Sequence, residues 1–370
     1  MSALPYLDGD TVRALMPMDR AVRVLHDALR AGLDPDGGPP RAVAAVPAGQ
    51  LLLMPAWHGR HAGVKVAGVA PGNPARGLPR IQGAYLLLDG DTLAPLAAMD
   101  GAALTALRTP AVSALAAGFL ARPDARSLTV FGTGPQARGH VEALRSVRPV
   151  ERVTVVARDP ARARAFAERC AGLGLAATAL RIAGDAVPTG DAVPTGDAVP
   201  TGDAVPTGDA VPAGDAVLAG RAVLAGRAVP AGGAGSAGTA EVEEAVASAD
   251  LIACCTSARQ PLFPGALVAD GATVVAVGSH EPDAREIDGE LVARATVVVE
   301  SRAAALAEAG DLVIPVKTGL IGVGHIAGDL AELVRGGVEP GPGPRVFKSV
   351  GMAWEDLVVA AAVHEAWAGR

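Results

Sequence analysis

Val130-Phe131-Gly132-Thr133-Gly134-Pro135-Gln136-Ala137 is the stretch whose reading decides the fold. A short apolar run, Leu128–Phe131, ends in a G-x-G-x-x-A pattern, and a stretch with helical spacing, 135–147, follows. Each small residue has its own task. Gly132 permits a tight turn, Gly134 lets a pyrophosphate approach the backbone, and Ala137 lets the helix pack on the strand. The N-terminus of that helix, with its free N–H groups, receives the phosphate charge. The pattern alone is weak. Its place between a strand and a helix, with a second apolar run at Val153–Val156, predicts dinucleotide binding.

Working outward, strands and helices alternate. Val153–Val156 precedes a helical stretch at 160–173, and Leu251–Cys255, Thr273–Val277 and Thr296–Glu300 continue the series. Such alternation predicts an α/β fold with a parallel, doubly wound sheet. Upstream, residues 11–33 read as one amphipathic helix, from Val12, Leu15, Met16, Ala21, Val24, Leu25 and Leu29. Short apolar runs follow at Ala42–Pro47, Leu51–Pro55 and Ala62–Val69. Gly83–Asp91 reads as a strand entering a tight hairpin, with Asp89-Gly90 supplying a positive backbone angle. This region is expected to form a mostly antiparallel sheet. Residues 101–121 are expected to be helical, and a last helix, 351–368, to return to the first domain.

Residues 184–231 hold eight copies of a hexapeptide, beginning as Gly-Asp-Ala-Val-Pro-Thr and drifting to Gly-Arg-Ala-Val-Pro-Ala. Each copy has few apolar side chains and most carry a proline. That burial cannot offset an ordering entropy of about 1–2 kcal/mol per residue, so a disordered or loosely turned insert is expected.

Composition narrows the partners. The net charge is −7, of which the repeats contribute −4 through six Asp and two Arg. The remainder is nearly neutral and has no basic block, so neither nucleic acid nor an anionic membrane is the expected partner. No uninterrupted apolar stretch approaches the ~20 residues of a membrane span. Met1–Asp10 has no basic segment followed by an apolar run, so no signal peptide is expected. The cysteines Cys170, Cys254 and Cys255 show no CxxC spacing. They read as reduced thiols of a cytoplasmic protein, with no metal site.

Cofactor choice is read at the end of the second strand of the dinucleotide unit. An acidic residue there would hold the ribose 2′-hydroxyl of NAD. Arg158 stands 21 residues after Ala137, followed by Asp159. A planar guanidinium suits a 2′-phosphate, which favours NADP, with NAD possible through Asp159. Three cations lie in otherwise apolar settings before this unit: Arg41 after Pro39-Pro40, Lys65 within Val64-Lys65-Val66, and Arg108 within Leu107-Arg108-Thr109. A charge there is costly unless it is paired or faces a cleft. Converging cations would make a carboxylate site.

The chain resembles the ornithine cyclodeaminase/μ-crystallin family. The likeness rests on Pro40-Arg41, Leu53-Met54-Pro55, Val64-Lys65-Val66, Gly77-Leu78-Pro79, Met99-Asp100-Gly101 with Thr105–Thr109, and Phe131–Ala137. It continues in Ala249-Asp250 with Thr256-Ser257, Ala276–Glu286, Glu308–Leu312 and Phe347–Asp356. The resemblance implies a substrate and dimerisation domain at 1–120, completed by about 321–370, with the Rossmann domain at 121–320 carrying the repeats. It implies that Arg41 and Lys65 bind a substrate carboxylate and that Lys65 lies near the reacting carbon. By the same likeness Arg108 and Thr109 approach cofactor or substrate, and Val350 touches the substrate. Pro135, Gln136, Thr256, Val277 and Ser349 line the dinucleotide beside Gly132, Gly134 and Ala137.

Two positions depart from the family pattern. His280 stands where ornithine cyclodeaminases carry a catalytic aspartate, with Asp283 three positions later, and Arg80 stands where many relatives have a small hydroxyl residue. A histidine handles protons near neutral pH but cannot anchor a second ammonium group as a carboxylate would. The leading expectation is therefore reduction of a small 2-imino acid, or interconversion of amino and imino or oxo acids, by a homodimeric enzyme. The alternatives are an ornithine cyclodeaminase and a non-catalytic binder of NADPH or a small ligand.

Overall fold

The computed structural model describes residues 4–182 and 237–370; the hexapeptide tract lies outside the described residues. Two sheets carry the architecture. The first has six strands: β1 (Tyr6–Leu7), β2 (Ala42–Val46), β3 (Gly49–His58), β4 (His61–Val69), β5 (Ile81–Asp89) and β6 (Pro95–Asp100). Their order is β1-β6-β5-β4-β3-β2, antiparallel throughout except for the parallel pair β1 and β6. The second has eight parallel strands: β7 (Ser127–Phe131), β8 (Arg152–Ala157), β9 (Ala176–Arg181), β10 (Leu251–Cys254), β11 (Thr273–Ala276), β12 (Thr296–Val299), β13 (Ile326–Asp329) and β14 (Arg345–Lys348). Their order, β13-β12-β14-β11-β10-β7-β8-β9, reverses direction beside β7. Ligands of open α/β sheets bind at such a reversal, outside the carboxyl ends of the strands.

The helix Gly101–Leu120 joins the two halves. Asp100 caps it through the N–H groups of Ala102 and Ala103. It packs on β5 of the first sheet and on β11 and β14 of the second. By length and composition it could cross a membrane, but Arg108 interrupts its apolar run and 78% of its apolar window is buried inside the protein. Its apolar content is that of a central core helix, with Arg108 in its middle. The last helix, Ala353–Ala368, packs on β3, β4 and β5 as expected.

Three expectations are corrected. The single helix at 11–33 is two, Gly9–Leu15 and Met18–Arg30. Pro17 separates them, because it lacks an N–H and drives the residue before it out of helical geometry. The hairpin after β5 spans five residues, and its left-handed residue is Leu93 (φ 57), not Gly90. Gly90 is required for a different reason: a Cβ there would lie 2.8 Å from the carbonyl carbon of Arg60. Finally, a boundary near 320 falls inside the larger sheet, since β13 and β14 lie beyond it and β14 inserts between β11 and β12. Val346-Phe347 is too short an apolar run to be read as a strand before the sheet is known.

Candidate active site

The glycine loop sits at the reversal point. Gly132 has φ +109, and a Cβ on it would lie 2.6 Å from the carbonyl oxygen of Cys255, just past β10. Gly134 caps the helix Pro135–Val147 with no side-chain hydrogen bond. A Cβ on Gly134 would meet no atom within 4 Å, so the uncapped helix N-terminus opens onto free space. Ala137 is fully buried, as the third small position requires. Pro135 is exposed, while Gln136 is half-buried with its Oε1 lacking a partner. A bare cradle and free helix N–H groups fit a dinucleotide diphosphate.

The loops that end β10 and β11 are fixed from beneath by charges that the sequence reading did not single out. The Glu286 carboxylate accepts from the N–H and hydroxyl of Thr256, both at 2.7 Å, and from the N–H of Gly278 at 2.6 Å. Glu286 and Ile287 donate their N–H groups to Asp311. Asp311 pairs with Lys348 at 2.7 Å, and Lys348 Nζ donates to the carbonyl of Ser279. Burial pushes the Glu286 carboxyl up, against the pull of Lys348. Thr256 and Val277 thus stand on rigid supports at the mouth of the crevice.

The expected cations come together against the last helix. Lys65 projects from β4 on the side of Met54 and Tyr85. Its Nζ lies 2.6 Å from Asp356 Oδ2 and 3.4 Å from Thr105 Oγ1. Arg108 donates to Glu355 at 2.7 Å and holds Nε 3.4 Å from Asp356. Arg41 reaches Glu308 at 3.1 Å and donates to the carbonyls of Val350 and Gly351 at 3.3 and 2.8 Å. Arg41 and Arg108 therefore flank one turn, Ser349–Gly351, and Lys65 and Arg108 share Asp356. Glu300, Glu308, Glu355 and Asp356 are the residues the sequence reading left without a role. The available signal was the one used for Lys65, a charge inside an apolar run, as in Val297-Val298-Val299-Glu300.

Burial sets the electrostatics. It pulls Lys65 down to about 8, with Asp356 opposing and Arg108 reinforcing the fall. Burial drives the Glu355 carboxyl well up, and neighbouring Glu300 drives it further. Burial works against the Arg108 charge, but Asp356, Glu355 and Glu300 outweigh it and keep the guanidinium protonated. A buried pair of this kind is tolerated only because each charge has partners.

The other expected residues are placed as follows. Thr109 is buried in the central helix. Val350 is half-buried and faces Arg41 through its carbonyl. The Ser349 hydroxyl donates to Glu300 at 2.5 Å. Arg158 is exposed just past β8, and Asp159 spends Oδ1 on capping the helix Pro160–Gly172. His280 is exposed, yet the protein packed around it, and then the charge of Arg41, keep its imidazole below the usual range. Asp283 is engaged by Arg259 at 2.5 Å. Arg80 is exposed.

Proteins of known sequence and structure share this fold. A Δ1-pyrroline-2-carboxylate reductase of Paracoccus denitrificans is 32% identical over 334 residues, covering 87% of this chain and 85% of that protein. The structure of the Thermococcus litoralis Δ1-pyrroline-2-carboxylate reductase, in complex with NADH and L-proline, superposes with a TM-score of 0.78 at 28% identity, covering 99% of this chain and 98% of that one. An archaeal alanine dehydrogenase dimer with bound NAD matches with a TM-score of 0.78 at 25% identity, covering 99% and 96%. The profile of one family matches residues 11–229 and 236–370. The chain belongs to the ornithine cyclodeaminase/mu-crystallin family.

Proposed function

We propose that this chain is a nicotinamide-dependent imine reductase that converts a small 2-imino acid to the amino acid, with amino-acid oxidation as the same chemistry in reverse. The observation that carries the reading is the bridge at Thr105. Its backbone carbonyl accepts from Gln136 Nε2, in the glycine-loop helix, at 3.3 Å, and its hydroxyl lies 3.4 Å from Lys65 Nζ. One residue thus joins the dinucleotide cradle to the buried lysine. The relatives named as pyrroline-2-carboxylate reductases support the substrate class.

When bound, a reduced nicotinamide would supply the hydride for the imine carbon. The residues that would hold the dinucleotide are Gly132, Gly134, Pro135, Gln136 and Ala137 at the diphosphate, with Thr256, Val277, Ser349, Arg108 and Thr109 around the crevice. The chain's own work is to hold the carboxylate and deliver one proton. An ammonium has three donors. In Lys65, two point to Asp356 and Thr105, which leaves one for the substrate. Arg41, tied back by Glu308 and two carbonyls, presents the rest of its guanidinium to the substrate carboxylate, and Val350 borders the side chain. With a pKa of about 8, Lys65 is protonated at neutral pH yet gives up its proton readily to the imine nitrogen. Holding the reactants in this geometry removes much of the entropic barrier.

Arg158 favours NADP over NAD, because Asp159 is committed to its helix cap while Arg158 is exposed at the strand end. The protein is proposed to work as a homodimer. Leu51, Leu53, Trp57 and Val66 are exposed on the outer face of the first sheet, where Leu53 lies beside Val66. An apolar face of this kind supports a second copy. Free thiols, with Cys170 and Cys254 buried and Cys255 half-buried, suit the cytoplasm. His280, held toward its neutral form, offers no charge partner for the second ammonium group of ornithine, which argues against cyclodeamination. The reading is tested by following imine-dependent oxidation of NADPH and NADH.

A further inference from the structure

Glu300 ends the strand β12 and is 1% exposed. Its carboxylate lies under the turn Ser349–Gly351 and accepts three hydrogen bonds from it. These come from Ser349 Oγ at 2.5 Å, Val350 N at 3.0 Å and Gly351 N at 2.7 Å. The same turn offers its carbonyls to Arg41 on the other side, from Val350 at 3.3 Å and Gly351 at 2.8 Å. It also presents a bare α-carbon to Arg108. Gly351 has φ +79, and a Cβ there would lie 2.7 Å from Arg108 Nη1. A single buried carboxylate therefore fixes the backbone against which both arginines rest.

We propose that Glu300 is the positioning residue of the substrate-carboxylate clamp: it holds the Ser349–Gly351 turn, and through that turn it sets Arg41 and Arg108. The inference rests on reading Arg41 and Lys65 as the carboxylate site. Glu300 acts through the turn that it holds, by its contacts with Ser349, Val350 and Gly351. Its removal leaves two N–H groups and a hydroxyl without a charged acceptor, so the turn shifts and Arg41 loses its two carbonyl anchors. Affinity for the substrate carboxylate falls, while turnover of bound substrate, which depends on Lys65, is largely kept.

The test is a double-mutant cycle of Glu300→Gln with Arg41→Ala, read in two ways at saturating dinucleotide. One readout is kcat and KM for pyrroline-2-carboxylate. The other is calorimetric binding of pyrrole-2-carboxylate, a planar analogue that cannot be reduced in this way. Losing charge-assisted hydrogen bonds raises KM and the analogue Kd together by about tenfold or more in Glu300→Gln, with kcat changed less than about threefold. In the Arg41→Ala background the same replacement changes both by less than about twofold, since contacts acting through one partner are not additive. Equal factors in both backgrounds, or a fall in kcat with KM unchanged, overturn the proposal. Should Glu300→Gln fail to fold, Ser349→Ala removes one of the three donors. It is expected to raise KM by about two- to fivefold, again only when Arg41 is present. A wild type that binds the analogue without reducing the imine refutes the reductase reading alone, and the binding cycle still decides the role of Glu300. A wild type that binds no analogue refutes both.

Discussion

Lys65 on β4 and Asp356 on the last helix meet at 2.6 Å although 291 positions separate them. The lysine side chain is 5% exposed and the aspartate 0%, so neither charge has water to fall back on. Removing one partner leaves the other uncompensated, which typically costs about 3–5 kcal/mol. The contact ties the last helix to the first sheet and fixes the position of the lysine proposed as proton donor.

The pH dependence of reduction follows from this pair. Lys65 has a pKa of about 8 and donates only when protonated, so kcat should be level below that value and decline above it. Asp356 raises the lysine pKa, while burial and Arg108 lower it. In Asp356→Asn the declining limb should therefore move to lower pH. A kcat–pH profile of both proteins checks the sign, and a limb that stays put or moves upward rules out Lys65 as the donor.

Cofactor selectivity should lie in Arg158. On the proposed reading Arg158→Ala would remove a charge-assisted contact to the 2′-phosphate, worth about 1.5–3 kcal/mol. NADPH should weaken by about tenfold or more, while NADH stays nearly unchanged. Fluorescence titration with each dinucleotide decides it, and equal losses would remove Arg158 from the site.

The two glycines of the loop should respond differently to alanine. Gly132→Ala meets both a positive φ and the Cys255 carbonyl at 2.6 Å, so it should cost about 1–3 kcal/mol of stability as well as dinucleotide affinity. Gly134→Ala meets empty space at an ordinary φ of −76, so its melting temperature should hold while dinucleotide affinity falls. Thermal melts with and without dinucleotide separate the two. A Gly134→Ala protein that binds normally would show that the open space is not the diphosphate cradle.

His140 makes a stability prediction away from the chemistry. It is buried between the Gln136 carbonyl at 2.8 Å and the Ser113 hydroxyl at 2.9 Å, and burial pulls its pKa from 6.5 to about 4. The folded imidazole stays neutral while the unfolded one takes up a proton below 6.5. Its contribution is thus fully present above pH 6.5 and is lost as pH falls toward 4, by about 3 kcal/mol. Urea unfolding across that range should show this extra slope in the wild type and its absence in His140→Gln.

What the sequence revealed and what it hid have physical causes. The glycine loop was legible because turn, backbone approach and helix packing each demand a small residue at a fixed offset. Lys65 was legible because charge is costly in an apolar strand, and Arg108 because it interrupts an apolar helix. The two helices at 9–30 were merged because amphipathic spacing persists across Pro17, whose effect is local. The strand β14 escaped notice because four residues do not establish a period, and only its neighbours β11 and β12 define it. Glu300, Glu355, Asp356 and the Glu286–Asp311–Lys348 group were missed for a related reason. Each takes its meaning from a partner at least 25 positions away, and spacing along the chain carries no trace of such a contact.

The most direct measurement of the central claim places two reactions side by side. Purified protein is given pyrroline-2-carboxylate with NADPH or NADH, and in parallel ornithine with a catalytic amount of the oxidised dinucleotide. Imine-dependent loss of absorbance with stoichiometric proline, abolished in Lys65→Ala, and little proline or ammonia from ornithine, is the expected result. Proline and ammonia formed in equal amounts from ornithine, with no imine-dependent oxidation of either dinucleotide, would contradict the account.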